Sequence, residues 1–465
     1  MKALLCLTVL LASVAVQSQS IIRTGNYQGV NGVFNNPANI ADSKHRLDVN
    51  LVSISTSIAN DRASFRIRDM GKSLNLDSIR NQFLYSHFGT SNALAFMDVA
   101  GPSIMISLGK HSSFALTTRA RIMANQTNFD GKLLDAIYSD QEPGQTIPYT
   151  LNMRDEMRMT MNAWTEYGLS YAHVLYNNGR HFIKGGLTVK YLVGVGSGFT
   201  SVNKLTGILH SSQNEGYYLR DASGTVGVGS VGLNFDDIEP QQFEKMESKG
   251  LGADLGFVYE YRQDHENYDE GNTGSNENKY KVQVSVSLLD LGKITYRNPH
   301  ANGGLYNINI GGNEQFYFNQ FDGVKLQHAN QVFENNPGMF EKIDSDLDRD
   351  YQVSLPMITQ IGIDYQLYKS IHINLTGTIP FRKDQLSKPF NSRSYASITF
   401  TPRIESRKVG LYIPVQYNAL SRMNAGVAIR MGGLYLGSSS ILSAIFKESK
   451  QLDLQLGAKF SLLKK

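Results

Sequence analysis

The 465-residue chain is 41% hydrophobic and only 18% charged, with 42 glycines, 24 tyrosines, 22 phenylalanines and one tryptophan. A charged fraction below the roughly 25% of soluble domains argues against a disordered or coiled-coil chain, and a mean hydropathy of -0.27 excludes a bundle of apolar membrane helices. The net charge of +4 is too dilute over this length to predict a nucleic-acid partner.

Residues 1–18 read as a signal peptide. Lys2 supplies the positive start, Ala3–Val16 the apolar stretch, and Val16-Gln17-Ser18 a cleavage site. Export to the cell outer membrane is the expectation. Cys6 would leave with the peptide, so disulfides and thiolate chemistry are not expected. Residues 19–43 follow, rich in glycine and asparagine around Asn36-Pro37-Ala38. Proline fixes its own φ and drives the preceding residue out of the helical region, so a turn is predicted ahead of the first strand.

From residue 44 to 465 the dominant hydrophobic period is two, the signature of strands with one apolar and one polar face. In Leu47–Ile58 the apolar phase moves from Leu47, Val49 and Leu51 to Val52, Ile54 and Ile58. A one-residue slip marks either a bulge or the point where the strand leaves the membrane. Similar strands are predicted at Phe114–Ala124 and Tyr167–Leu175, and on the Ile183, Leu187, Val189, Tyr191 face. The glycine-rich Gly194–Gly198 ends a strand and opens no helix, which argues against a phosphate cradle. Leu251, Leu255, Phe257, Tyr259 and Tyr261 share a face; Tyr280, Val282, Val284 and Val286 share the next. The rhythm continues through Val409–Tyr417 to Leu452–Phe460.

These segments run about 9–12 residues, long enough to cross a bilayer at a tilt and longer than ordinary sandwich strands. Tyr259, Tyr261, Tyr280 and Tyr417 fall where an interfacial girdle is expected. Arg119, Arg121, Lys184, Lys190, Asp254, Glu260, Arg262 and Asp364 alternate with the apolar faces and are predicted to line a wet lumen. The fold class is therefore an all-β transmembrane antiparallel barrel surrounded by outer-membrane lipid. Lys369-Ser370 and the residues about Arg407 make short periplasmic turns, whereas Gly131–Met161, Gln263–Asn278 and Arg297–Pro356 are read as long outer loops. Short helical pieces are expected at Leu74–Leu84, Pro240–Lys249 and Gln331–Arg349.

Catalytic and metal signals are weak. Asp344, Asp346 and Asp348 have the alternation of a calcium loop, but Arg349 and Leu355 replace its glycine and glutamate. No histidine pair has ligand spacing and no nucleophile elbow occurs. Neither an enzyme nor a cofactor is expected.

The Asn36-Pro37-Ala38 turn resembles the N-terminal signature of FadL-type outer-membrane proteins. Gly29–Asp42, Tyr167–Leu192, Gly250–Arg262, Ser287–Ile294, Ser394–Asn418 and Met423–Leu442 further resemble a Bacteroidota family of unknown function. The resemblance implies about fourteen strands, with residues 19–43 folded inside as a hatch. It implies one of two roles: a channel for a hydrophobic small molecule or lipid, or a PorV-like barrel that partners an envelope or secretion protein. A polar diffusion porin lined by Arg119, Arg121, Lys184 and Lys190 is a third reading, which a true plug would defeat. The aromatics of Arg297–Pro356 discriminate: facing the lumen they favour a ligand, exposed they favour a protein partner, and packed against one another inside the loop, the default expectation, they favour neither.

Overall fold

The computed structural model describes residues 21–67, 90–130, 133, 147–232, 247–263, 279–297, 302–343, 350–381 and 388–464. The signal peptide, the Leu74–Leu84 helical piece and Asp344–Arg349 of the acidic loop lie outside these residues, as do most of Gln263–Asn278 and Pro240–Lys249.

Alternation of apolar and polar residues builds a wall of antiparallel strands. In chain order these are β1 (His45–Asn60), β2 (Thr90–Ala100), β3 (Ser103–Leu108), β4 (Ser112–Asp130), β5 (Tyr149–Asn152), β6 (Met157–Asn177) and β7 (His181–Ser212). Next come β8 (Gly216–Gly232), β9 (Lys249–Tyr261), β10 (Val282–Tyr296), β11 (Gly303–Ile310), β12 (Phe316–Tyr317), helix α1 (Ala329–Glu334), β13 (Phe340–Ile343) and β14 (Tyr351–Ser354). The chain finishes with β15 (Ile358–Tyr368), β16 (Ile371–Pro380), β17 (Ser397–Glu405), β18 (Val409–Tyr412), β19 (Val415–Asn418) and β20 (Arg422–Ala425). Last are β21 (Val427–Met431), β22 (Leu434–Ser438), helix α2 (Ile441–Phe446) and β23 (Gln451–Leu463).

Pairing of β23 with β1 closes the barrel. Leaving out β5, β8 and β11–β13, which extend beyond the wall, and counting β2–β3, β14–β15, β18–β19 and β20–β21 as single interrupted crossings gives fourteen wall strands. Leu116, Leu169, Val189, Phe257, Val286 and Ile363 stand exposed on the outer face, as a lipid-facing belt requires. The inner face is polar and buried.

Three irregularities matter for the interior. In β1, Leu51 and Val52 both point outward, 56% and 38% exposed, and the register against β23 slips between Asn50 and Val52. The phase change is thus a bulge within the wall. Opposite it, Gly101-Pro102 separates β2 from β3, and the Asn50 amide donates to the carbonyl oxygens of Gly101 (2.9 Å) and Ala100 (3.3 Å). The glycine run 194–198 is where β7 changes partner. Its first part pairs with β9, and from Gly196 onward it pairs with β8. A side chain at Gly194 would strike Tyr296, Ile294 and Ser248. Finally, β22 has only five residues. Beyond it the wall is completed by buried Ser438–Ser440, which donate to Asp453, and by α2.

One end of the barrel carries the start of β1 and the end of β23 and is called the terminal end. The other is the loop end. Strand parity corrects one sequence expectation. The connection containing Gln263–Asn278 joins β9 to β10 at the terminal end, where Lys281 N donates to Tyr261 O. Its length and polarity suggested an outer loop, but an even-numbered wall strand returns to the end where the first began. Arg297–Pro356 does lie at the loop end, and it is folded: it holds β11–β14 and α1, so the Gln331–Arg349 helix is shorter and earlier than expected.

Candidate functional site

The space inside the wall is filled in layers. Nearest the terminal end, residues 21–43 fold as three 3-10 turns, Ile21–Thr24, Gly29–Phe34 and Pro37–Ile40. Val30, Val33, Ile40 and Ala41 are buried against Met105, Ala115, Ala172 and Phe182 of the inner wall. Asn36 caps the last turn, its Oδ1 accepting from Ala38 N at 2.9 Å. The Asn36 amide donates to the wall carbonyls of Phe257 and Val286, both at 3.1 Å. This close approach depends on glycine: a Cβ at Gly256 would collide with the Asn36 amide group, and one at Gly186 with the Pro37–Ala38 backbone.

Polar pins hold the same segment elsewhere. Val30 N donates to Asp48 Oδ1 (2.8 Å), and Lys459 Nζ reaches Asp48 Oδ2 (3.0 Å). Asn26 N donates to Glu405 (3.0 Å), which Arg403 also binds (2.8 Å). Gly29 lies at φ +59, and a side chain there would strike the Asp48 carboxylate, so both conformation and space call for glycine. At the mouth, Asp42 accepts from Lys279 (2.7 Å) and Arg262 (2.8 Å). Burial alone would raise the Asp42 pKa, but these two cations hold it below its ordinary value.

The second layer is a buried charge network. Arg119 reaches Glu166 (2.6 Å) and Asp98 (3.3 Å); Arg121 reaches Asp290 (2.8 Å) and Glu166 (3.0 Å). Lys190 bridges Asp254 (2.7 Å) and Asp290 (2.8 Å). Asp290 owes its place to a bulge in β10, where the register slips between Leu288 and Leu291 and Asp290 adopts φ +60. Residues 21–43 join this layer through Phe34, whose ring lies between the guanidinium groups of Arg23 (4.9 Å) and Arg119 (4.7 Å). A polar cavity of about 50 Å³ remains among Arg23, Ser55, Asp98, Arg119 and Asp290, room for a water or two.

The third layer is apolar. Phe96, Trp164, Phe199, Tyr296, Tyr351 and Phe390 meet across the lumen. Phe390 comes from a connection that folds inward: Asn162 donates to Phe390 O (2.9 Å), and the Asn125 amide to Arg393 O (2.7 Å). Above it, the extended β7–β8 hairpin, β5, β11–β13 and α1 form a chamber at the loop end. Phe316, Phe321, Phe333 and Phe340 pack edge-on or tilted at 4.7–5.9 Å between ring centres. With Met157, Met159, Val228, Ile308 and Phe318 they surround an almost wholly apolar cavity of about 100 Å³.

The predicted lumen residues therefore divide into three groups. Arg119, Arg121, Lys190 and Asp254 meet in the central network; Lys184, Glu260 and Arg262 meet at the terminal mouth, with Lys184 to Glu260 at 3.0 Å; Asp364 lies apart, paired with Arg403. All lie inward, as expected from alternation, and each is engaged in an ion pair. Tyr280 is another correction. It precedes β10 and turns inward, its hydroxyl 2.7 Å from Asn26 Oδ1 and 3.2 Å from Asp364, and so belongs to the lumen and not to an outer girdle. Asp98, Glu166, Asp290, Arg403, Glu405, Gly186 and Gly256 were not singled out from the sequence. Alternation places Asp98, Glu166, Arg403 and Glu405 inward once their strands are known. Asp290 carries no such signal, because a bulge breaks the period around it.

A closed barrel with an apolar belt, a filled lumen and one elaborated end defines a transmembrane β-barrel of the plugged kind. Among the described residues no helix is long and apolar enough to cross a membrane. The chain belongs to the Family of unknown function (DUF5723), matched over residues 37–439. No curated protein matches the sequence. Among solved structures it is similar to a Pseudomonas aeruginosa FadL homologue, at 9% identity and a TM-score of 0.46 over 94% of this chain and 95% of that one. Similarity also extends to the Pseudomonas putida toluene transporter TodX, at 8% identity and 0.32 over 96% and 97%. The Escherichia coli outer-membrane protease OmpT matches at 8% identity and 0.24 over 90% and 95%. At such identities none of them assigns a substrate to this chain.

Proposed function

We propose that this protein is a FadL-like outer-membrane channel that captures a hydrophobic small molecule or lipid segment at its loop end and passes it inward. The observation that carries this reading is the phenylalanine- and methionine-walled chamber of about 100 Å³. Ligand pockets are typically apolar and largely preformed, and an engineered apolar cavity of about 150 Å³ takes benzene. A single aromatic ring or a few methylenes is therefore the scale of group this chamber accepts. The charge network and residues 21–43 beneath it oppose free diffusion, which disfavours the polar porin. In this reading residues 19–43 are the hatch, Asn36-Pro37-Ala38 its seat, and the loop end faces outward.

The alternative, a barrel that partners an envelope protein, draws support from α2, where Phe446 is 83% exposed. Ligand-observed NMR on the full chain in nanodiscs, with toluene and a fatty acid as probes, separates the two. Saturable binding is expected, weakened at least tenfold by Val228→Phe while heat-modifiability and strand content stay unchanged. Binding indifferent to Val228→Phe would remove the chamber from the mechanism. A stoichiometric protein in the native membrane extract, retained by that variant, would favour the partner reading.

A further inference from the structure

Among the described residues, and so leaving the 264–278 connection aside, the exposed charge of the terminal rim is one-sided. Four of the described connections at this end and the start of β1 present cations to solvent: Arg46 in β1, Lys110 between β3 and β4, Arg180 between β6 and β7, Lys369 between β15 and β16, and Arg407 and Lys408 between β17 and β18. All six are exposed. Acids among the described residues of this end point the other way. Asp42, Asp48, Glu260, Asp364 and Glu405 face the lumen, each consumed by an internal cation. The loop end has no such bias, since exposed Asp155, Glu215, Glu341 and Asp350 stand among its cations. Alternation explains much of the asymmetry: Asp48, Glu260, Asp364 and Glu405 lie on the inward face of strands, whereas all the cations but Arg46 occupy turns, outside the period.

Just inside the cations runs an outward ring of aromatics, Phe114, Tyr171, Tyr176, Tyr365, Tyr368 and Phe460, all at least 40% exposed. Lys369 Nζ sits 5.7 Å from the Tyr368 ring centre, and half-buried Lys281 lies 5.0 Å from that of Tyr365. Aromatic rings of this kind settle at the headgroup level of a bilayer. Cations one turn further out then stand at the depth of the lipid phosphates.

We infer that this rim is a binding collar for anionic phospholipid headgroups, formed by Arg46, Lys110, Arg180, Lys369, Arg407 and Lys408. The cations are spread around the circumference, each beside the lipid-facing wall, which suits many separate phosphates. A docked acidic protein would instead need them gathered over the mouth. The collar ties the terminal end to the leaflet richer in anionic phospholipid, and it does so whether or not the chamber takes a ligand.

The test uses the full chain in nanodiscs of mixed phosphatidylcholine and phosphatidylglycerol, with native mass spectrometry of the lipids it retains. Wild type is expected to retain phosphatidylglycerol at least fivefold over its bulk share, about the effect of a single lysine or arginine at a charged surface. That enrichment should fall toward the bulk ratio in 0.5 M salt, and in the combined variant Arg46→Gln, Lys110→Gln, Arg180→Gln, Lys369→Gln, Arg407→Gln, Lys408→Gln. Heat-modifiability establishes that the variant is folded, and the salt arm tests the collar on wild type alone. Retention at the bulk ratio by wild type overturns the proposal, as does enrichment that survives both salt and substitution. So does an acidic protein lost from the variant in the absence of any lipid preference, which would assign the rim to that protein.

Discussion

Single residues decide whether the lumen can be filled. Asn36 reaches the wall carbonyls only because Gly186 and Gly256 leave the inner face bare where the Pro37–Ala38 backbone passes. Gly256→Val should therefore unseat residues 21–43 without touching the lipid-facing side, read as stepwise conductance in planar bilayers. Gly377 is the control, since a Cβ there would meet only Ile361 O at 4.0 Å, and Gly377→Ala should stay silent. A Gly256→Val variant that stays silent while deletion of Ile21–Ser43 conducts would mean that the Asn36 contact does not hold the segment. Asp42 adds a pH dependence. Its pKa is held below the ordinary 3.8 by Lys279 and Arg262, so the unfolded or released state binds the proton more readily. The stabilisation is complete above the ordinary value and is lost as pH falls through the lowered one. Conductance should thus be absent at pH 5 and emerge only below about 3.8, whereas Asp42→Asn should leak at neutral pH. Equal acid thresholds in wild type and Asp42→Asn would remove Asp42 from the tether.

At the scale of elements, the period of two was legible wherever a strand crosses without interruption. The outward face of β9, Leu251 through Tyr261, is as alternation demanded. Legibility ended where chain geometry departs from the period. Bulges at Leu51 in β1 and at Asp290 in β10 reverse faces locally, and only the first left a trace in the pattern, because two apolar residues adjoin there. The charge network was half visible for the same reason. Arg119, Arg121 and Lys190 alternate cleanly, but their partners come from other strands, and pairing across the lumen depends on closure that no local pattern encodes. The partner switch of β7 at its glycines, and the end at which a long loop emerges, likewise follow from strand count and not from composition. A strand correctly placed can be tested directly. Val286 is 43% exposed and lies beside Phe257 and Ile361 on the belt, so Val286→Arg should cost about 2–4 kcal/mol of folding stability near the membrane midplane. Reversible unfolding into lipid vesicles measures this. A cost near zero would place Val286 outside the bilayer.

For the molecule as a whole, the question is whether the filled lumen is a permanent core or a removable closure. Its layers differ in how they are connected. The apolar layer and the chamber are built from wall strands and the connections between them, so neither can leave without unfolding the wall. Residues 21–43 lead into β1 and contribute no strand to the wall; they are held by the Asp48, Glu405 and Asp42 pins and the Asn36 amide and by the apolar contact of Val30, Val33, Ile40 and Ala41. Breaking one buried charged pair costs about 3–5 kcal/mol when its partner stays behind. Removing the whole segment, however, leaves Asp48 with Lys459 and Glu405 with Arg403 already paired. Deleting Ile21–Ser43 should accordingly leave the barrel able to assemble, with heat-modifiability retained. Its conductance should remain small, because the charge network and the Phe390 layer still obstruct the lumen. A deletion variant that conducts like an open porin would show residues 21–43 to be the sole barrier, and the upper layers to be open under those conditions. Complete silence would locate the closure in the Phe390 layer, and Phe390→Gly combined with the deletion should then open it.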